Sequence, residues 1–189
     1  ALVTGGGGFL GRYIVEQLLA RGDEVEVLSR GRYPDLESAG VMCHSADLAD
    51  SGAVSNACRG KQVVFHVAAR VGMGGDHDEF YRANVTGTDH VIAGCQAARV
   101  SKLIFTSSPS VVFDGADQRG VDESHPYPAS YLAHYPATKA EAERRVLAAN
   151  GQGGLTTCSL RPHIVFGPRD NSLLPRLADR ARRGQLAQV

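Results

Sequence analysis

The sequence predicts an α/β fold in which a doubly wound parallel sheet forms a single domain over residues 1–189, and three observations support this. Strand-length apolar runs alternate with longer helical patterns along the chain, which is typical of repeated βαβ units. The run Gln62–Ala68 is almost wholly apolar, as expected for a central parallel strand that is covered on both faces. Four consecutive glycines, Gly5–Gly8, separate the first apolar run from the first helical pattern, so a tight turn is expected there.

Six strands and four helices account for most of the chain. The strands are predicted over Ala1–Thr4, Glu24–Leu28, Val41–Ala46, Gln62–Ala68, Leu103–Thr106 and Thr156–Leu160. The helices are predicted over Phe9–Arg21, Phe80–Arg99, Ser130–Ala149 and Ser172–Arg183. Gly22 provides a stop for the first helix, and Asn171 is available as the N-cap of the last one. Two loop-rich stretches, Val71–Asp78 and Asp114–Ala129, follow strands, where sites form in α/β proteins.

Composition argues against several classes of function. The chain has 20 basic and 20 acidic side chains, a balance that gives no reason to expect a nucleic acid or an anionic membrane as partner. No apolar run approaches the roughly 18 residues that a membrane span needs, and the histidines show no metal-ligand spacing. Widely spaced cysteines among small or apolar residues predict reduced core thiols in a cytoplasmic protein; they are Cys43, Cys58, Cys95 and Cys158.

The glycine run predicts a phosphate-binding turn. Gly5, Gly8 and Gly11 have the spacing G-x-x-G-x-x-G between a strand and an amphipathic helix. Glycines permit the tight turn and let the backbone approach a pyrophosphate, while the helix N-terminus offers free N–H groups to it. A flexible linker would also be rich in glycine, but the flanking strand and helix favour the dinucleotide-binding turn of a Rossmann-like fold.

The end of the second strand bears on the choice of cofactor. An acidic residue there would bind the ribose 2′-hydroxyl of NAD, whereas an arginine accommodates the 2′-phosphate of NADP. The strand runs Val27-Leu28-Ser29-Arg30, without a carboxylate at its tip. Arg30 is therefore the candidate for the 2′-phosphate, and a solvated surface arginine is the alternative. NADP(H) is the preferred cofactor, and NAD(H) stays open.

A tyrosine and a lysine predict the catalytic end of the site. Tyr135 and Lys139 are four residues apart within a helical pattern, so both side chains project from one face. A free tyrosine has a pKa of about 10, and a fixed ammonium nearby is expected to lower that pKa toward the working range of a general acid or base. A hydroxyl at the end of the fifth strand would hold the substrate oxygen; Ser108 is preferred, with Ser107 as the alternate.

Several motifs, taken together and in order, resemble those of the extended short-chain dehydrogenases/reductases, and most closely the 3β-hydroxysteroid dehydrogenase branch. They are T-G-G-G-G-F-L-G from Thr4, A-D-L from Ala46, H-V-A-A from His66, N-V-T-G-T from Asn84, T-S-S from Thr106, Y-P-A-T-K from Tyr135 and L-R-P-H-I-V-F-G-P from Leu160. Within the branch, Ser29-Arg30 and the following R-Y-P-D-L resemble bacterial 2-alkyl-3-oxoalkanoate reductases. Sterol-4-carboxylate 3-dehydrogenases usually carry an Asp at the position of Ser29.

The resemblance implies roles for particular residues. Those on the pyrophosphate would be Gly5, Gly8, Phe9, Leu10 and Gly11, and Asp47 and Leu48 would flank the adenine beyond Ser29 and Arg30. Ala68 and Ala69 would line the ribose path, and Asn84 would support the site from the neighbouring helix. The catalytic set would be Ser108, Tyr135 and Lys139, with Lys139 also on the nicotinamide ribose and with Pro162 and His163 beside the nicotinamide.

The expected activity is NADP(H)-dependent hydride transfer to or from a 3-oxo/3-hydroxy group of a hydrophobic small molecule, with no nucleic acid as partner and a homodimer left open. A sugar-nucleotide epimerase or dehydratase of the same fold is one rival, although dehydratases usually place an acidic pair where Ser107-Ser108 stands. A non-catalytic NADP sensor is another, although such proteins typically lose the Tyr–Lys pair. The start at Ala1 and the stop soon after Gly184 indicate a fragment of a longer enzyme, which would supply most of the substrate pocket.

Overall fold

A computed structural model describes residues 1–72, 74–171 and 173–186. In these residues six parallel strands form one sheet in the order β3-β2-β1-β4-β5-β6. The strands are β1 Leu2–Thr4, β2 Glu26–Ser29, β3 Met42–Ser45, β4 Val63–His66, β5 Lys102–Thr106 and β6 Thr156–Leu160. The order reverses direction at β1, which pairs with β2 on one side and β4 on the other. This confirms the doubly wound α/β fold and the six predicted strands to within two residues at each end.

Helices cover both faces of the sheet. They are α1 Phe9–Ala20, α2 Pro34–Ser38, α3 Ser51–Cys58, α4 His77–Tyr81, α5 Gly87–Ala97, α6 His134–Ala148 and α7 Leu173–Arg182, with a π-helical turn at Arg82–Thr86 and short 3₁₀ turns at Pro109–Val112 and Gln152–Gly154. The sequence did not predict α2 and α3, which are too short for a clear apolar period. The single helix predicted over Phe80–Arg99 is wrong, because the π-helical turn divides it.

The core forms on both sides of the sheet because successive strand residues point to opposite faces. Leu2 packs in one buried cluster with residues of α3, α5 and α6, while Val3 packs in a second cluster with α1 and α2. All three residues of β1 are fully buried. A strand covered on both faces is rigid, so the loops that follow its carboxyl end are held in a defined place.

Two details of the sequence prediction are corrected. The Asp170 carboxylate accepts hydrogen bonds from the amides of Leu173 and Leu174, at 3.1 and 2.8 Å. Asp170 rather than Asn171 therefore caps α7. Cys58 and Cys95 are buried as predicted, but Cys158 is exposed because β6 is an edge strand. Among the described residues no helix is long and apolar enough to cross a membrane, and no group of three or more metal-ligating side chains occurs.

Candidate active site

A cavity of about 810 Å³ opens at the carboxyl ends of the strands, at the point where the strand order reverses. This is the usual place for a ligand in a doubly wound sheet. Its wall includes nearly all of the residues that the sequence singled out: Gly5, Gly8, Phe9, Leu10, Gly11, Ser29, Arg30, Asp47, Leu48, Ala68, Ala69, Ser107, Ser108, Tyr135, Lys139 and Pro162. Asn84 and His163 are not on the wall.

The glycine turn between β1 and α1 depends on the absence of side chains. Gly5 has φ +69°, and a Cβ there would lie 2.9 Å from backbone atoms of Ala68. A Cβ on Gly11 would lie 2.2 Å from the carbonyl oxygen of Gly5. Gly8 differs, since its added Cβ would meet only that oxygen, at 3.3 Å. Gly5 and Gly11 are thus required by the protein backbone, whereas Gly8 faces the cavity.

The first turn of α1 can receive an anion. Gly8 is the N-cap and has no side chain with which to cap the helix, and no acidic residue lies in the first turn. The N–H groups at a helix N-terminus carry a partial positive charge and point at whatever binds there. These groups fit the pyrophosphate of a dinucleotide.

The opposite end of the cavity lies at the tip of β2. The Ser29 hydroxyl is buried and has no hydrogen-bond partner in the described part of the chain. Arg30 follows it, is exposed, and its guanidinium pairs with no side chain among the described residues. An unpaired buried hydroxyl is costly unless a ligand satisfies it, so this end fits a polar group that both residues could reach.

Tyr135 and Lys139 lie in the first turns of α6 and behave differently from the sequence prediction. The Lys139 Nζ donates to the carbonyl oxygen of Thr106 at 2.7 Å and lies 3.9 Å from the ring centre of Phe105. Burial lowers the pKa of Lys139 to about 7. Burial raises the pKa of Tyr135, and the neighbouring Ser108 hydroxyl opposes this rise. The expected lowering by Lys139 is not found in this arrangement, because its ammonium is directed at Thr106.

The two serines after β5 point in different directions. Ser108 accepts from the Ser110 amide at 3.2 Å, bonds the Ser110 hydroxyl at 2.8 Å, and lies beside Tyr135. Ser107 is buried on the side of Glu143, and its hydroxyl makes no well-formed hydrogen bond within the described residues. The geometry therefore brings Ser108 to the tyrosine. Ser110 was not predicted, although the run of hydroxyls in T-S-S-P-S was a signal for it.

Asn84 lies behind the cavity wall and links two parts of it. Its Oδ1 accepts from the Arg70 amide at 2.7 Å, and its Nδ2 donates to the Arg70 carbonyl at 3.1 Å and to the Thr138 hydroxyl at 3.1 Å. Thr138 lies on α6 between Tyr135 and Lys139. Asn84 thus links the π-helical turn to α6. His163 is exposed, and Pro162 alone of this pair lines the cavity.

Comparisons with known proteins agree with this geometry. A profile described as the 3-beta hydroxysteroid dehydrogenase/isomerase family matches residues 2–189. The chain is 47% identical over 191 residues to a 2-alkyl-3-oxoalkanoate reductase of Stenotrophomonas maltophilia, covering 100% of this chain and 57% of that protein. It is 40% identical over 188 residues to the human sterol-4-alpha-carboxylate 3-dehydrogenase, decarboxylating, covering 99% and 50%.

Among solved structures, the Thermus thermophilus UDP-glucose 4-epimerase complex with NAD superimposes with a TM-score of 0.83 at 31% identity, covering 98% of this chain and 63% of that one. The chain spans about half the length of the curated relatives it matches. The profile match over almost every residue, together with the two relatives, is decisive for the family. The chain belongs to the 3-beta hydroxysteroid dehydrogenase/isomerase family, within the extended short-chain dehydrogenases/reductases.

Proposed function

We propose that the complete protein is an NADP(H)-dependent oxidoreductase acting on a 3-oxo/3-hydroxy group of a hydrophobic substrate. One observation carries this proposal: Tyr135, Ser108 and Lys139 line the same cavity as the glycine turn. A dinucleotide laid across the turn and a small molecule beside the tyrosine would share one enclosed space. A solved neighbour of the same fold is a complex with NAD, which supports a nicotinamide cofactor.

The side chains can manage the proton that accompanies hydride transfer. A nicotinamide, when bound, supplies or accepts the hydride. Because burial raises the pKa of Tyr135, the phenol stays protonated at neutral pH and can donate its proton to a substrate oxygen during reduction. The Ser108 hydroxyl beside it can hold the same oxygen. The Lys139 ammonium, which donates to the Thr106 carbonyl in this arrangement, can stabilise the charge left on the tyrosine once it turns toward the bound cofactor.

The tip of β2 supports NADP(H) over NAD(H). Ser29 contributes a buried hydroxyl without a partner, and Arg30 contributes a guanidinium without a neighbouring carboxylate, in the described residues. A planar fork of donors suits a phosphate. We propose that this pair receives the 2′-phosphate.

The balance of charge on the cavity wall favours an acidic substrate only slightly, so what matters is where the cations lie. The wall carries Arg30, Arg70, Arg82 and the buried Lys139 against the carboxylates of Asp47, Glu79 and Asp170. The two relatives above are named for a 3-oxoalkanoate and for a 4-carboxylate oxidised at position 3. In each name the carboxylate is attached to the carbon next to the one that carries the reacting oxygen. The Arg70 backbone is fixed by Asn84, and its side chain pairs with an exposed Glu79. We propose that Arg70 exchanges this partner for the carboxylate of a 2-alkyl-3-oxo acid.

The test uses the full-length protein and follows NADPH and NADH consumption with a 2-alkyl-3-oxo acid and with a 3-oxosteroid. Tyr135→Phe should reduce turnover about 100-fold or more, since general acid catalysis contributes at least that much, while Tyr131→Phe on the preceding loop should change it little. Arg30→Ala should weaken NADPH binding and leave NADH binding unchanged. Near-normal turnover by Tyr135→Phe would remove the catalytic assignment, and a clear preference for NADH would remove the cofactor assignment.

A sugar-nucleotide epimerase is the second candidate, because a UDP-glucose 4-epimerase is among the similar structures. Incubation with UDP-glucose distinguishes the two, since an epimerase would form UDP-galactose without net consumption of the cofactor.

A further inference from the structure

A buried carboxylate follows the catalytic pair on α6. Glu143 is fully buried and lies four residues beyond Lys139 and eight beyond Tyr135, so the three side chains share one face of the helix. A buried charge is unfavourable unless it is paired and hydrogen-bonded. Neither the phosphate-binding turn nor the Tyr–Lys pair accounts for this glutamate.

Glu143 has donors from two other segments. Arg161, which follows β6, donates to its Oε1 at 2.5 Å from Nη2 and at 3.1 Å from Nε. The Tyr127 hydroxyl, in the loop before α6, donates to Oε1 at 2.6 Å, and the Ser159 hydroxyl of β6 donates to Oε2 at 2.9 Å. The carboxylate is therefore satisfied by a set of bonds that come together only in this fold.

These donors belong to segments that form the cavity. Arg161 directly precedes Pro162, which lies on the wall. Tyr127 belongs to the loop that leads into the first turn of α6, and its ring is stacked under Arg144 at 4.1 Å and near Arg161 at 5.6 Å. Glu143 thus joins the wall at Pro162 and the Tyr127 loop to the helix that carries Tyr135.

Glu143 also faces Lys139 electrostatically. The groups around the Lys139 ammonium are Glu143 from α6, neutral His66 from β4, and the Thr106 carbonyl with the Phe105 ring from β5. Burial lowers the pKa of Lys139, and the charge of Glu143 raises it. Arg161, Ser107, Tyr127 and Ser159 hold the pKa of Glu143 at about 2 although burial opposes them, so this carboxylate stays ionised across the working pH range.

We propose that Glu143 is a positioning residue with two effects. It holds Pro162 and the Tyr127 loop against the catalytic helix, and its fixed negative charge stabilises the buried ammonium of Lys139. This inference rests on the proposed oxidoreductase function. It assigns Glu143 no contact with substrate or cofactor, so its effect must pass through Lys139 and through the cavity wall. Two separable consequences follow, one on the pH dependence and one on substrate binding.

The first consequence is tested with Glu143→Gln in the full-length protein, with Glu141→Gln as the matched control. Glu141 is on the same helix but is partly exposed and pairs with Arg145 at the surface. In Glu143→Gln, the pH at which kcat for reduction declines on the alkaline side should fall by about 2 units, because an opposite charge one helical turn away at an effective dielectric constant of about 20 accounts for a shift of that size. Glu143→Asp keeps the charge and should leave this decline where it is, and Glu141→Gln should not move it.

The second consequence is tested with Tyr127→Phe, which removes one bond to Glu143 and keeps every charge. Its KM for the substrate should rise several-fold while the alkaline decline of kcat stays in place. This variant also keeps the inference testable if Glu143→Gln does not fold. An unchanged KM in correctly folded Tyr127→Phe would overturn the proposal that Glu143 holds the Tyr127 loop against α6.

A readout independent of activity separates this inference from the proposed function. In protein labelled with ¹³C at the lysine ε-carbon, the Lys139 signal is assigned through Lys139→Met, and its titration is followed in wild type and in Glu143→Gln. A lower midpoint in the variant supports the inference even if no oxidoreductase activity is found with the substrates named above. The inference would be overturned if the Lys139 midpoint were the same in wild type and in Glu143→Gln. It would also be overturned if the variant lost activity uniformly across pH and in proportion to a loss of stability, since Glu143 would then be merely structural.

Discussion

Replacing Gly11 by alanine should destabilise the protein by steric conflict within the glycine turn. The added Cβ would lie 2.2 Å from the Gly5 carbonyl oxygen and 2.8 Å from both the Gly5 carbonyl carbon and the Gly6 Cα. All three are backbone atoms, so no side chain can rotate away. Overpacking costs about 1–3 kcal/mol, and a backbone clash on this scale belongs at the upper end. We expect the free energy of unfolding in urea, followed by circular dichroism, to fall by about 3 kcal/mol.

Gly8→Ala is the control for this substitution. Its Cβ would meet only the Gly5 oxygen, at 3.3 Å, and its φ of −79° and ψ of 174° suit an alanine. The free energy of unfolding should fall by only about 1 kcal/mol, because alanine is a poorer N-cap than glycine. Cofactor affinity should fall as well, because the methyl group enters the cavity where the pyrophosphate is proposed to lie. Equal stability of the two variants would refute the steric requirement at Gly11. Unimpaired cofactor binding by Gly8→Ala would refute the proposed approach of the pyrophosphate to Gly8.

Two further predictions concern substrate charge and acid stability. Arg70→Met should raise KM for a 2-alkyl-3-oxo acid about tenfold or more, as loss of a charge-assisted hydrogen bond does, and leave KM for the methyl ester unchanged. Equal effects on acid and ester would contradict binding of the substrate carboxylate by Arg70. The control is Arg59→Met, at an exposed site. Burial lowers the pKa of His66 to about 3, so the unfolded chain takes up a proton below about pH 6.5 that the folded chain does not. Stability from His66 is therefore complete above that pH and is lost as pH falls, by about 2 kcal/mol between pH 6.5 and 5. His66→Gln should have a shallower dependence of unfolding free energy on pH in this window, and parallel curves would contradict the assignment.

Local spacing was sufficient to predict which residues of short segments line the cavity. The glycine turn requires only that three small residues stand at fixed intervals between a strand and a helix, and Tyr135 and Lys139 require only a separation of four on a helix. Ser108 required more, because two adjacent serines end the strand in opposite directions. The structure distinguishes them by what lies opposite, which is Tyr135 for one and Glu143 for the other.

Contacts between distant segments account for what the sequence could not predict. The donors to Glu143 lie 16 to 18 residues away in the chain, in a loop and an edge strand that no periodicity connects. The π-helical turn at Arg82–Thr86 has no local signal either. A Cβ at Gly87 would lie 2.8 Å from the Cβ of Leu48. The close approach of α5 to the segment that contains Leu48 therefore depends on tertiary packing.

The glycine turn after β1 and helix α6 are joined by one directed series of hydrogen bonds. Thr88 donates to the Asn84 carbonyl at 2.6 Å, so its hydroxyl oxygen must accept from Nε2 of His66, 3.0 Å away. The proton is therefore on Nε2, and Nδ1 accepts from Thr4 at 2.7 Å, directly before the glycine turn. The Asn84 amide then donates to Thr138 on α6 at 3.1 Å. A protonated His66 would carry a hydrogen on Nδ1 as well, so the Thr4 hydroxyl could no longer donate to it. The burial that keeps His66 neutral therefore preserves the bond that links the end of β1 to this series.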